Sequence, residues 1–177
     1  DSEQIQYKIV NSFYKYAEQS IAPKQQERYE EAIKFANTFL SRYKESEFSG
    51  SIKNTMQNSH YHAIKGAYLT ALITNLDNRE RKLKDAFDVY LVHKELIADV
   101  KILADADEIN EQAHFELIRT HFLRAQNAEA GKSKSLYLET LKEYSVFVND
   151  YQDGKYSKEA LKIYNATQKN LKKLSNG

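Results

Sequence analysis

Any chemistry in this chain would have to come from histidines, carboxylates and lysines, because its 177 residues include no cysteine. That removes disulfides, thiolate nucleophiles and Cys-based zinc sites. Five histidines are present. His60 and His62 are two residues apart, so on a helix they point about 200° from each other and do not easily share a metal. His114 and His121 are seven apart and can lie on one helical face, but no HExxH motif accompanies them. His121 aligns with Phe13 and Ala67 in the repeat described below, both core-like positions. Histidines packed between helices and bonded to a neighbour are therefore expected, with no metal and no cofactor. "AGKS" at 130–133 matches only the end of a phosphate-binding loop. The loop's first glycine would have to stand at Gln126, and no strand precedes it. A polar turn using Gly131 is the simpler reading. "DADE" at 105–108 lacks the other oxygen ligands of a Ca²⁺ loop. Asp105 or Asp107 at a helix N-terminus, favoured by the macrodipole, accounts for it. There is no Gly-x-Ser-x-Gly and no local pairing of nucleophile with base, so no catalytic residue is assigned and no enzyme is expected.

The bulk composition bounds the fold and the partner classes. Lys and Arg number 26 against 25 Asp and Glu, a net charge of +1. That leaves no overall field to hold nucleic acid or an anionic membrane. The lysines of 169–173 read as a solvated helix face. No apolar stretch approaches the ~20 residues of a membrane-spanning helix. With five glycines and one proline, turn residues are too few for an all-β chain. Continuous helices joined by short loops fit instead. Asp1 already stands at the edge of helical sequence, which suggests a mature, trimmed or fragmentary chain.

An ungapped offset of 54 residues organises those helices. It links Tyr7, Tyr61 and Phe115; Val10, Ile64 and Ile118; Tyr14, Tyr68 and Phe122; and Ala17, Ala71 and Ala125. A second block follows in register: Tyr29, Leu83 and Tyr137; Ile33, Phe87 and Leu141; Ala36, Tyr90 and Tyr144. Units one and three also share Phe39/Phe147, Leu40/Val148, Tyr43/Tyr151 and Phe48/Tyr156, where unit two has His93, Lys94 and Ile97 in the first three places. Within each block the spacing is three or four residues, one face of an α-helix. Each unit is thus a helical hairpin, with the small alanines where a neighbouring helix must come close. Two such helices cannot bury both faces alone, so the units are expected to stack.

The pattern predicts an all-α fold: an α-solenoid of tetratricopeptide type, forming one domain over 1–177. Its units are 4–57, 58–111 and 112–154, followed by a closing helix at 155–174. The predicted helices are 3–21, 24–43, 47–76, 79–103, 107–129, 133–151 and 155–174. The fourth either runs on toward Leu103 or bends. Pro23 fits the first turn of the second helix, where its missing N–H is not needed. Ser46 and Asp153 are candidate caps. Ala160, Leu161, Tyr164 and Leu171 should cover the open end while the last helix turns its lysines to water.

The first unit carries a resemblance. Tyr16-Ala17, Ser20, Lys24, Glu27-Arg28-Tyr29, Ala32-Ile33, Phe39, Tyr43 and Ser46-x-Phe48 resemble the last tetratricopeptide unit of the BamD lipoproteins of Bacteroidetes-type bacteria, subunits of the β-barrel assembly machinery. The match spans about residues 7–55, and the third unit echoes it. Lys44 stands where that family has proline, and the lipid-bearing cysteine and upstream repeats of the family are not in this sequence. The resemblance implies a non-enzymatic periplasmic scaffold at the outer membrane. Its partners would be a β-barrel assembly complex or its barrel subunit. Membrane association would be indirect, or by a lipid anchor outside this sequence. A free-standing adaptor that captures extended peptide tails in a concave groove is the alternative.

In tetratricopeptide-type arrays the first helix of each hairpin lines the concave surface. The stripe opposite its core face contains Gln4, Asn58 and Gln112 at one repeat position and Asn11, Lys65 and Arg119 at another. Donor-rich side chains repeating in this way can hold a peptide's carbonyls or carboxylate. Leu69, Leu72 and Leu123 add apolar surface to the stripe.

Overall fold

A computed structural model describes residues 2–176, apart from the side chain of Ala130. Seven α-helices form among the described residues: α1 Ser2–Glu18, α2 Ala22–Arg42, α3 Ser49–Ile73, α4 Leu76–Lys94, α5 Val100–Asn127, α6 Ala130–Asp150 and α7 Ser157–Ser175. The fold is all-α, and successive helices pack as hairpins. The chain divides into two compact units, Asp1–Ile73 with Asp85–Ile109, and Thr74–Lys84 with Asn110–Gly177.

In the first unit α2 packs against both α1 and α3, and α1 also touches α3. Val10, Ala36, Phe39 and Ile52 form one buried cluster, flanked by Tyr7 and Phe48. The rings of those two stack with centroids 4.4 Å apart. Each large side chain buried this way contributes roughly 1.5–3 kcal/mol. Ala17, Tyr29 and Ala63 make a second cluster, with Tyr14 against it. The small residue at 17 is needed because a longer side chain would push α3 off the hairpin. Gly66 serves the same approach from α3: a Cβ there would lie 2.9 Å from the Gln25 Cβ and 3.2 Å from the Gln26 nitrogen. A third cluster joins Ile64, Tyr90, Ile97 and Ala106.

The second unit repeats the first at twice the 54-residue offset, down to single hydrogen bonds. Ile118, Phe147 and Ala160 stand where Val10, Phe39 and Ile52 stood, and Phe115 stacks on Tyr156 at 5.3 Å as Tyr7 does on Phe48. The helix-ending N–H of Tyr43 bonds Phe39 O at 2.9 Å, and that of Tyr151 bonds Phe147 O at 2.8 Å. Ser49 and Ser157 each donate a hydroxyl back to the carbonyl of those tyrosines. Ser2 shares a hydrogen bond with the Tyr43 hydroxyl, while Asn110 donates to the Tyr151 hydroxyl. The entries to α2 and α6 have matching backbone angles, φ −64° and ψ 149° at Ile21, φ −61° and ψ 151° at Glu129. Pro23 sits in the first turn of α2, as its ring requires.

The structure corrects several expectations, one of them the turn at Gly131, which lies inside the first turn of α6. Helix α4 ends at Lys94, not near Leu103, and α5 begins at Val100, not 107. The chain turns between them because Ile97, although outside any helix, still drops into the core at the place of Tyr43 and Tyr151. The cap of α5 is Asp99, whose Oδ1 accepts the N–H groups of Lys101 and Ile102 at 2.9 Å each. Asp105 and Asp107 therefore lie inside the helix, and Asp107 accepts the Tyr90 hydroxyl at 2.6 Å. Ser46 does accept the Phe48 N–H at 3.0 Å. At the equivalent turn it is Glu111, not Asp153, that accepts the Tyr156 N–H, at 2.9 Å. Leu161 is exposed; Ala160 and Thr167 are the buried residues of α7.

Helix α7 is more than a lid. Ala160 lies 54 residues after Ala106 and 108 after Ile52, so α7 is in register with the first helix of each hairpin. It packs on α6. Tyr164 stacks on Tyr144 with centroids 4.5 Å apart. The face that would meet a further helix carries exposed Asn165, Lys169 and Lys172.

Candidate functional site

Each proposed binding residue lies on the first helix of a hairpin, held there by the burial of that helix's opposite face. In the first unit, Gln4 on α1 is exposed and Asn11 is half-buried. Ser51 and, to a lesser degree, Asn11 hold the Tyr7 hydroxyl below its ordinary pKa. On α3, Asn58 donates to the Asn54 carbonyl at 2.9 Å, and the Lys65 ammonium lies over the Tyr61 ring at 5.9 Å. Leu69 and Leu72 are half-buried. In the second unit, Gln112 and Leu123 of α5 are half-buried, and Arg119 is exposed and bonded to Glu116 at 3.1 Å. None of these residues is fully buried, although Glu116 on the same face of α5 is, and Asn58, Lys65 and Arg119 each engage a neighbour three or four residues back on the same helix. Those ties orient the side chains along the helix without removing their remaining donors.

Two arrangements escaped the sequence reading. One lies at the third position of the repeat, Glu3, Gln57 and Glu111. Gln57 accepts the N–H of Ala98 at 2.6 Å and donates to Leu96 O at 3.0 Å, fastening the turn after α4. Glu111 fastens the turn after α6, and Gly154 makes room for it: a Cβ at 154 would overlap the carboxylate. The offset of 54 was the available signal, but polar residues on a polar face gave no reason to apply it there.

The other is the set of partners of the buried histidines, whose packing between helices was expected but whose neighbours were not. His60 of α3 and His93 of α4 share a hydrogen bond between their Nδ1 atoms at 2.8 Å, and His93 Nε2 lies 3.6 Å from Glu30. Burial, reinforced by its partner, holds the His60 pKa down at about 4. Burial also lowers His93, against the pull of Glu30. His121 is buried in the second unit as its alignment implied, 2% exposed. Its ring nitrogens lie 3.3 Å from Glu139 and 3.9 Å from Glu80, and neither is hydrogen-bonded among the described residues. Glu80 in turn takes Arg124 at 2.7 Å and Lys84 at 2.8 Å. These carboxylates flank the imidazole on opposite sides and do not converge on one point.

The sequence matches no protein-family model and is significantly similar to no curated protein. No helix among the described residues is long and apolar enough to cross a membrane. The described helices carry the donor side chains of Gln4, Asn58, Gln112, Lys65 and Arg119 at exposed or half-buried positions.

Proposed function

We infer that the chain is a non-enzymatic scaffold that resembles BamD and assists the assembly of outer-membrane β-barrel proteins through protein–protein contacts. Its helical hairpins form a tetratricopeptide-type solenoid, and it works in the periplasm against the outer membrane. The observation that carries the reading is the recurrence of one hairpin, bond for bond, at Tyr43 and Tyr151. A unit copied so closely keeps its first helix in a constant setting and leaves the outer stripe free to vary. That division suits binding surfaces built from repeats. The likeness of residues 7–55 to the last BamD unit supplies the particular partner class.

The test is a pull-down from detergent-solubilised outer membrane with the chain as bait. Recovery of a β-barrel protein, lost when Lys65 and Arg119 are both changed to alanine, is the expected result. Capture of soluble proteins with extended tails, and no barrel protein, would favour the free-standing adaptor instead.

A further inference from the structure

The contact between α6 and α7 differs from its counterpart between α2 and α3 in a way that opens a cleft. In the first unit Gly66 lets α3 close onto Gln25, and His62 stacks on Tyr29 at 5.1 Å, so the space is filled. In the second unit Leu174 stands at the place of Gly66 and Ser133 at that of Gln25. Leucine cannot approach as glycine does. An open surface cleft of about 320 Å³ remains, lined by Gln126, Ser133, Tyr137, Asn170, Lys173 and Leu174, of which Gln126, Lys173 and Leu174 are exposed. That volume is at the low end of ligand pockets, roughly 300–1,000 Å³.

The lining is arranged for an anion that the protein does not itself supply. Lys173 continues the repeat position of Asn11, Lys65 and Arg119. In the first unit the equivalent region contains its own acid: Glu18 and Lys65 both act electrostatically on His62. The counterpart of Glu18 is the neutral Gln126. The counterpart of Tyr61, over whose ring Lys65 lies, is Lys169. Lys173 is thus left with neither a carboxylate nor a ring partner among the described residues. Beside it Asn170 donates to the Tyr137 hydroxyl at 2.9 Å, which fixes both groups at the cleft. The Ser133 hydroxyl is turned away, bonded to Ala125 O at 2.8 Å.

We propose that this cleft binds a carboxylate presented by a partner protein, with Lys173 as the charge partner, Gln126 and Asn170 as amide donors, and Leu174 with the Tyr137 ring taking the apolar stem. The ammonium and amide donors match a carboxylate's lone pairs, and the missing Glu18 counterpart is itself a carboxylate. Assigning the ligand to a partner protein rests on the scaffold reading above; the cleft does not.

An NMR titration of the whole chain tests this. The probes are acetyl-Ala-Ala-Leu with a free carboxyl terminus, the same peptide amidated, acetyl-Ala-Glu-Ala-amide, and inorganic phosphate. Saturable shifts of the Asn170 side-chain amide and the Tyr137 ring are expected with an acidic peptide, with affinity at least tenfold weaker for the neutral amide. The two acidic peptides distinguish a chain terminus from an acidic side chain. Lys173→Gln should weaken binding at least tenfold, and so should Gln126→Glu, which restores an internal acid. Lys34→Gln, at an exposed position on a second helix, should leave it unchanged. Thermal melts check that each variant is folded. Equal binding of the amidated peptide or of phosphate, an unaffected Lys173→Gln variant, or no saturation would overturn the assignment. A chain that captures a barrel protein without these shifts loses the pocket and keeps the scaffold role; shifts without capture do the reverse.

Discussion

Truncating Phe147 to alanine is expected to cost about 3–5 kcal/mol of folding stability. The side chain is 1% exposed and is packed among Ile118, Ala160 and the flanking Phe115, Tyr144 and Tyr151. Its removal forfeits the transfer energy of a ring and leaves a hole that two rigid helices cannot collapse into. Phe39 occupies the equivalent place with the same 1% exposure, so Phe39→Ala should cost a similar amount. A domain of this size has about 5–15 kcal/mol in total, so either change leaves a small margin. Urea denaturation followed by helical circular dichroism measures it. The exposed Leu138 is the control, and its change to alanine should move stability by no more than about 0.5 kcal/mol. A loss below about 1 kcal/mol at Phe147 would mean that the repeated core is not packed as described.

Stability should also fall as pH drops from 6.5 toward 4. The direction follows from His60, held at about 4 in the folded chain against an ordinary value of 6.5. Above 6.5 the ring is neutral in both folded and unfolded chains, and its contribution is fully present. Between those values the unfolded chain takes up a proton that the folded chain refuses, so each pH unit costs up to about 1.4 kcal/mol. Over the window that amounts to about 3 kcal/mol. Burial is the larger cause, and the bond between the two Nδ1 atoms adds to it: one must donate and the other accept, and an added proton places two N–H groups face to face. Burial lowers His62, His93 and His114 as well, and each acts in the same direction. The flanking repeats suggest the variant to compare, His60→Gln with His93→Phe, since Gln6 and Phe39 hold those places in unit one. Urea midpoints at pH 7.5 and 5.0 should differ clearly in the parent chain and much less in the double variant. An equal acid loss in both would remove the histidine pair from the explanation.

The helices and their register were legible because burial imposes a period, and the period recurs. Ala17, Ala71 and Ala125 are each at most 1% exposed, as the close approach of neighbouring helices demanded. Tyr14 packs on Tyr29, and Phe122 on Tyr137, at equivalent repeat positions. The end of α4 was not legible, and the reason is physical. Ile97 keeps the core period across a turn, and periodicity alone cannot distinguish a buried loop residue from a helical one. Partners distant in sequence were also hidden. His60 and His93 lie 33 residues apart, and Gln57 reaches residues 39 to 42 positions ahead. The cleft beside Lys173 needed α7 to be read as the first helix of a further unit. Its lysines look like an ordinary wet face, which obscures that register.

The stripe residues fall on α1, α3 and α5, the helices whose opposite faces are buried. The proposed scaffold role requires that they contact a partner protein. A photo-crosslinking amino acid placed in turn at Lys65 and Arg119, on the first helices, and at the exposed Lys34 and Lys142, on the second helices, separates the two faces directly. Crosslinks from 65 and 119 to an outer-membrane β-barrel protein, with few or none from 34 and 142, are the expected outcome. Crosslinks that form equally from both sets, or from neither, would contradict a scaffold that works through the outer stripe of its repeated helices.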